Sequence, residues 1–136
     1  MKRLVYLISP GKIYKNFYID LKKVLETKKV KFFQIRLKKI SENKIIKITK
    51  KIKKITKKYK VKLIINDSAK IAYESGADGS HVGQQDVSIT DARKYLKNKI
   101  IGVTCHNSKK LALIAVKNKV EYIAFGSFYQ SKLKPN

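Results

Sequence analysis

Apolar residues along the chain follow two alternating rhythms. Short β-rich runs recur, each stopping at polar or turn-forming residues, and helical spacings of apolar residues fill the intervals between them. The run 3–8 ends at Ser9-Pro10-Gly11, a turn signal, and Phe17, Leu21, Val24 and Leu25 then recur as one helical stripe. Residues 31–38, KFFQIRLK, read as a strand whose second half changes character. There Gln34, Arg36 and Lys38 alternate with Ile35 and Leu37. Side chains alternate faces along a strand, so the three polar groups share a direction while Ile35 and Leu37 face covering helices. Ser41 is placed as N-cap of a long helix carrying Ile45, Ile48, Ile52, Ile55 and Tyr59 on one stripe.

The centre of the chain is the segment 63–86, LIINDSAKIAYESGADGSHVGQQD. An apolar run ends at Asn66-Asp67, and a short helix with Ile71 and Ala72 for the core follows. Gly76 suits a left-handed helix exit. A second short strand, 79–83, delivers Asp86 just beyond its end. A helix around 91–96, packed through Ala92, Tyr95 and Leu96, leads to a fifth strand, 100–104, with Thr104 and then His106 after it. Ser108 opens a helix with Leu111, Ile114, Ala115 and Val116 inward, and 122–126 is a sixth strand running into a loop with Ser131, Lys132, Leu133 and Lys134.

Six strands alternating with five helices predict a single α/β domain over residues 1–136, with a parallel sheet and right-handed crossovers. No glycine-rich dinucleotide loop opens the first helix, which removes support for a Rossmann unit. Polar residues follow the second to sixth strands rather than one switch point. That distribution favours a (β/α)8-type barrel, whose loops share one mouth. Such a barrel typically takes about 200 residues or more, so at 136 residues the chain reads as an incomplete barrel ending in the loop after its sixth strand.

Net charge changes this picture less than its size suggests. The formal charge is +24, yet Arg3, Arg36 and Arg93 are the only arginines. Nucleic-acid readers lean on arginine for bidentate contacts, whereas lysines scattered along every helix read as a solvated face. A nucleic-acid binder, recognisable by steep salt dependence, is the rival this leaves. Lys44, Lys47, Lys50, Lys51, Lys54, Lys57 and Lys58 crowd the long helix, a pattern shared by membrane-surface helices and by outer helices of α/β barrels; the second account is preferred. Cys105 is the single cysteine and has no internal partner for a disulfide, in keeping with a reducing cytoplasm. No signal peptide or membrane-length apolar run stands out.

Candidate chemistry gathers where strands end. Asp67 and Asp86 follow consecutive strands, beside lysines and an arginine, and suggest Mg²⁺ shared with a phosphate. The plainer alternative is that Asp67 caps the next helix and Asp86 sits in a turn. Gln34, Arg36 and Lys38 suit a polar ring with a phosphate chain, or else a solvated sheet edge. The loop 126–134, with glycine, hydroxyls and lysines, suits phosphate contact. His81 and His106 lack zinc-ligand spacing; His81 reads as a packed strand residue with its polar tip satisfied, and His106 as a lining of the mouth.

Together these segments resemble thiamine phosphate synthase over essentially the whole chain. Gln34-Ile35-Arg36-Leu37-Lys38 resembles the family's Gln-x-Arg-x-Lys, Asn66-Asp67 its Asn-Asp pair, residues 76–86 its Gly-Ala-Asp-Gly-x-His-x-Gly-Gln-x-Asp, and Gly102-Val103-Thr104 its Gly-x-Ser. The resemblance implies an eight-stranded barrel in which Gln34, Arg36, Lys38, Asn66, Thr104 and Lys134 bind an aminopyrimidine diphosphate and Asp67 and Asp86 hold Mg²⁺. The loop after the sixth strand departs from Thr-x-Thr-Lys: Ser131 keeps a hydroxyl, Leu133 replaces the second, and Lys134 keeps the ammonium. Ser131 and Leu133 would stand at the thiazole phosphate. The implied reaction joins 4-amino-5-hydroxymethyl-2-methylpyrimidine diphosphate to a thiazole phosphate and releases pyrophosphate. The family's later glycine-rich phosphate loops lie beyond six strands, so little activity is expected of this chain alone. A thiazole tautomerase of the same fold is the alternative, with His106 as its proton shuttle. The implied partners are small phosphorylated molecules, not nucleic acid or membrane, with homo-oligomerisation left open and a cytoplasmic location.

Overall fold

The structure is a computed structural model that describes residues 4–129. Its elements follow the expected alternation: β1 (Val5–Ile8), α1 (Phe17–Glu26), β2 (Val30–Ile35), α2 (Glu42–Lys58), β3 (Lys62–Asn66), α3 (Ala69–Ser75), β4 (Gly79–Val82), α4 (Ile89–Leu96), β5 (Ile100–Thr104), α5 (Lys109–Lys117) and β6 (Tyr122–Ala124). All five strand pairings are parallel, and the strands lie in chain order, β1-β2-β3-β4-β5-β6. Among the described residues no helix is long and apolar enough to cross a membrane.

Strand alternation builds two layers. Phe33, Ile35, Leu63, Ile65, Val82, Ile101 and Val103 join Leu21, Leu25, Ile52, Ile71, Ala72, Ala92, Leu96, Ala112 and Ala115 of the helices in one core. The intervening positions, among them Tyr6, Gln34, Asn66, His81, Thr104 and Tyr122, face the other way, onto a cavity. That second face is concave. Strands spaced about 4.8 Å apart would put β1 and β6 roughly 24 Å from each other in a flat sheet. Instead the hydroxyls of Tyr6 and Tyr122, one on each edge strand, are 2.6 Å apart. The sheet has curled into a six-stranded half-barrel.

Local chemistry explains most boundaries. Ser68, Ser88 and Ser108 each accept the N–H of the residue three positions on, capping α3, α4 and α5. Ser41 sits at the N-cap of α2 without a side-chain hydrogen bond. Gly76 closes α3 at φ 73°, in the left-handed region. Lys28, Lys60 and Lys119, after α1, α2 and α5, take the same region at φ 59°, 56° and 54°. The carboxylate of Asp78 fastens three elements: it pairs with Lys53 of α2 at 2.6 Å and accepts the Leu63 N–H of β3 at 2.7 Å, from the residue before β4.

Three expectations need correction. The strand read over 31–38 ends at Ile35, so alternation does not carry through to Lys38. Val24, Ile114 and Val116, expected inward, are exposed. They lie on α1 and α5, the first and last helices, each of which has a neighbouring helix on one side at most. Tyr95 is exposed as well, because Ala92 and Leu96 alone form the buried side of α4.

Candidate functional site

The concave face opens at the carboxyl ends of the strands into a cavity of about 890 Å³. Ligands of parallel α/β proteins bind at this end. Its wall takes residues from every strand or the loop after it, including Ile8, Gln34, Arg36, Asn66, Asp67, Gly83, Asp86, Thr104, His106 and Ala124.

Each side chain is held by its neighbours. Gln34 is buried, and its Nε2 donates to Asn66 Oδ1 at 3.2 Å, so the two amides form a pair on the cavity wall. Ser9 steers the approach of Arg36: its Oγ accepts the Arg36 N–H at 2.9 Å, while its own N–H donates to Gln34 O at 2.8 Å. Asp67 is not the helix cap; Ser68 is. Asp67 takes φ 66°, an uncommon conformation for a non-glycine residue, and its N–H donates to His81 O at 2.7 Å. Strained backbone at the end of a strand is common at binding sites. His106, after β5, shows the same feature at φ 48°.

Asp86 does sit in a turn: its Oδ2 accepts the Gly83 N–H at 2.5 Å. The same turn aims it at the cavity, so the structural and ligand-facing readings coincide. Gln84 pins this loop to the neighbouring strand by donating to Thr104 O at 2.6 Å. His81 is half-buried with both ring nitrogens engaged, Nδ1 with Tyr122 Oη at 3.0 Å and Nε2 with Thr104 Oγ1 at 2.8 Å. Its polar tip is satisfied, as expected.

Gln34, Arg36, Asn66, Thr104, Asp67 and Asp86 therefore converge on one cavity. Lys38 does not line it; it is exposed, and its backbone N–H donates to Gly11 O at 3.1 Å. Ser131, Leu133 and Lys134 lie outside the described residues. Sequence reasoning missed Ser9, Tyr6 and Tyr122. Parity with Ile8 signals Tyr6, since both fall on the cavity face of β1. Tyr122 carries no such signal; only the fold shows that a Cβ at Gly102 would land within the Tyr122 ring.

Among the described residues no group of three or more His, Cys, Asp or Glu side chains gathers for a metal. What the cavity offers is two carboxylates and oxygen-rich neighbours without a thiolate. This donor set fits Mg²⁺, which takes one or two carboxylates and completes its shell with water and substrate phosphates, and it does not fit a closed zinc site.

Fold and cavity thus define a parallel α/β half-barrel with an amide pair, an arginine and two carboxylates at one mouth. A family model described as thiamine monophosphate synthase matches residues 5–136. The chain belongs to that family. It is 57% identical over 134 residues to a thiamine-phosphate synthase of Pelagibacter ubique, covering 98% of this chain and 65% of that protein. A thiamine-phosphate synthase of Erythrobacter litoralis is 37% identical over 133 residues, covering 96% and 62%. A solved structure, a thiamine phosphate pyrophosphorylase from Pyrococcus furiosus, superposes with a TM-score of 0.83 over 97% of this chain and 64% of its own, at 24% identity. The chain thus spans somewhat less than two thirds of the length of these relatives.

Proposed function

We propose that this chain carries the pyrimidine-diphosphate half of a thiamine phosphate synthase site. It would join 4-amino-5-hydroxymethyl-2-methylpyrimidine diphosphate to a thiazole phosphate with release of pyrophosphate. The carrying observation is that Gln34, Asn66, Arg36, Thr104, Asp67 and Asp86 line one cavity. In this reading the half-barrel is six strands of a (β/α)8 barrel, and the protein works in the cytoplasm on small phosphorylated substrates.

The residues divide the work by chemistry. The locked Gln34–Asn66 pair presents donors and acceptors in fixed positions, which suits the edge of an aminopyrimidine. Arg36 and the Thr104 hydroxyl would donate to phosphate oxygens. Asp67 and Asp86 would hold Mg²⁺, which when bound supplies neutralisation of the diphosphate's charge as it leaves. Departure of the diphosphate breaks the methylene C–O bond and leaves a pyrimidine cation stabilised by its amino group; the thiazole nitrogen then forms the new C–N bond. No protein nucleophile enters. The protein's contribution is orientation of the two partners and stabilisation of the leaving group's charge. The 57% identity to a thiamine-phosphate synthase over nearly the whole chain supports the synthase reading over the tautomerase one.

Asp86→Asn is the discriminating substitution. The amide keeps an oxygen for the Gly83 N–H but removes the charge, so the turn survives while the cation site does not. Inorganic pyrophosphate should bind the chain by calorimetry in the presence of Mg²⁺ and bind much more weakly without it. Asp86→Asn should abolish that Mg²⁺ dependence. Pyrophosphate binding that is indifferent to Mg²⁺ and to Asp86→Asn would overturn the assignment.

A further inference from the structure

The floor of the cavity carries a hydrogen-bonded row of side chains. Tyr6 Oη lies 2.6 Å from Tyr122 Oη, Tyr122 Oη 3.0 Å from His81 Nδ1, and His81 Nε2 2.8 Å from Thr104 Oγ1. Four side chains from β1, β6, β4 and β5 make one continuous chain that ends on the Thr104 hydroxyl at the cavity wall. His81, Gly102 and Tyr122 share a register row across three strands. The Tyr122 ring reaches across β5 to stack on His81, with centroids 5.5 Å apart, because Gly102 has no side chain to block it. Phe32 and Tyr6 hold the ring from the other side, at 5.7 and 5.5 Å.

Counting hydrogens gives such a chain a direction. Each hydroxyl donates once, and a neutral imidazole donates from one nitrogen and accepts at the other. If Thr104 is to donate to an anionic ligand, it must accept from His81, so Nε2 carries the ring hydrogen. Nδ1 is then bare and must be met by the Tyr122 O–H, whose oxygen accepts from Tyr6. The reverse polarity would spend the Thr104 hydrogen on His81 and turn oxygen lone pairs toward an anion, which repels it. Burial pushes the Tyr6 phenol up to about 12 and the Tyr122 phenol higher still, so both keep the hydrogen the chain needs throughout the neutral range.

We propose that Tyr6, Tyr122 and His81 form a one-way hydrogen-bond relay. It fixes the His81 ring with its hydrogen on Nε2 and turns the Thr104 hydroxyl outward as a donor to a phosphate oxygen. Tyr122 and His81 are positioning residues that act through Thr104. The identity of the ligand and the argument for the relay's direction both rest on the function proposed above, whereas the protonation of the His81 ring can be read on the protein alone.

Two measurements test it. In chain labelled with ¹⁵N at the histidine rings, the two histidines are told apart with His106→Asn. The His81 ring should show a protonated Nε2 and a bare Nδ1 at neutral pH. Tyr122→Phe keeps the stacked ring but removes the donor, and should release His81 into a mixture of tautomers. Calorimetry with inorganic pyrophosphate and Mg²⁺ should show Tyr122→Phe and Thr104→Val each weakening binding by about tenfold, the scale of one charge-assisted hydrogen bond. The double variant should lose little more than either alone. A bare Nε2 or a doubly protonated His81 ring would overturn the relay, as would Tyr122→Phe binding pyrophosphate like wild type while Thr104→Val does not. If wild type binds no pyrophosphate, the diphosphate reading fails, and the ring's protonation state still decides the relay.

Discussion

Replacing Gly102 by alanine tests the packing logic of the cavity floor most sharply. The new Cβ would coincide with the Tyr122 ring, so something has to move. Two routes are open. If the ring stays, β5 and β6 must separate, an overpacking strain that typically costs about 1–3 kcal/mol. If the ring swings out, the protein loses hydrogen bonds to Tyr6 and His81, roughly 0.5–1.5 kcal/mol each, along with part of three ring contacts worth about 0.5–1.5 kcal/mol apiece beyond their buried area. The protein takes the cheaper route, and β6 is a three-residue edge strand able to yield. The expected destabilisation is therefore about 1–3 kcal/mol, the smaller of the two being the overpacking route. For a domain of this size that lowers the melting temperature by roughly 4–12 °C. The assay is urea and thermal unfolding followed by far-ultraviolet circular dichroism, on Gly102→Ala in the wild-type and in the Tyr122→Ala background. With the ring gone, the same alanine should cost almost nothing. A cost within about 0.5 kcal/mol of zero in wild type, the range of ordinary surface substitutions, would refute the reasoning. So would an equal cost in both backgrounds.

Other perturbations follow from the same contacts. Asp78→Ala should destabilise by about 2–4 kcal/mol, because a part-buried carboxylate loses Lys53 and the Leu63 N–H together; chemical denaturation measures it. Lys60→Gly should stabilise by about 0.5–1 kcal/mol, since φ 56° costs a lysine more strain than glycine's extra freedom in the unfolded chain takes back. Alkaline pH should unfold the protein through Tyr6 and Tyr122. Both folded-state values are raised, so below pH 10 the phenols are protonated in either state and stability is intact. As pH rises past the unfolded phenol's value the unfolded chain alone loses its protons, and stability falls until the folded phenols ionise, near 12 for Tyr6. Ultraviolet titration of the phenolates should therefore show a late fraction that appears together with unfolding.

Much of the architecture is written in local patterns. The alternation of apolar runs and helical stripes identifies all eleven elements, because the four inner strands are buried on the helix side and the helices keep their lysines, Lys53 apart, in water. Gly76 marks an exit because only α3 ends on glycine; the lysines that turn α1, α2 and α5 leave no such mark. Helix burial is less legible at the flanks. Val24, Ile114 and Val116 carry a stripe that would be covered if another element lay beside α1 or α5, and periodicity cannot count neighbours. The reach of β2 is less legible too. Its polar alternation continues to Lys38, but the backbone leaves the sheet after Ile35 to meet the loop at Gly11. The tyrosine relay escapes a linear reading altogether, since Tyr6 and Tyr122 stand 116 residues apart and meet only because the sheet curls.

That curl also decides what the extreme charge is for. Of 33 lysines and arginines, Arg36 is the one that lines the cavity among the described residues. Arg93 is spent as a clasp: Nη1 donates to Lys97 O and Lys99 O, both at 2.8 Å, and Nη2 reaches Lys119 O and the Glu121 carboxylate. The lysines of α2 point into water, apart from Lys53, which is held by Asp78. At physiological ionic strength, charges more than about 8 Å from a ligand through solvent are largely screened. A field of surface lysines can gather anions near the protein, but it cannot choose among them. Choice requires groups fixed at hydrogen-bonding distance with water held off. The cavity supplies those through one arginine steered by Ser9, an amide pair locked to itself, two turn-held carboxylates and a hydroxyl at the end of a tyrosine–histidine row. On the proposed function, discrimination would therefore reside in Arg36 and in neutral and acidic residues that the net charge conceals.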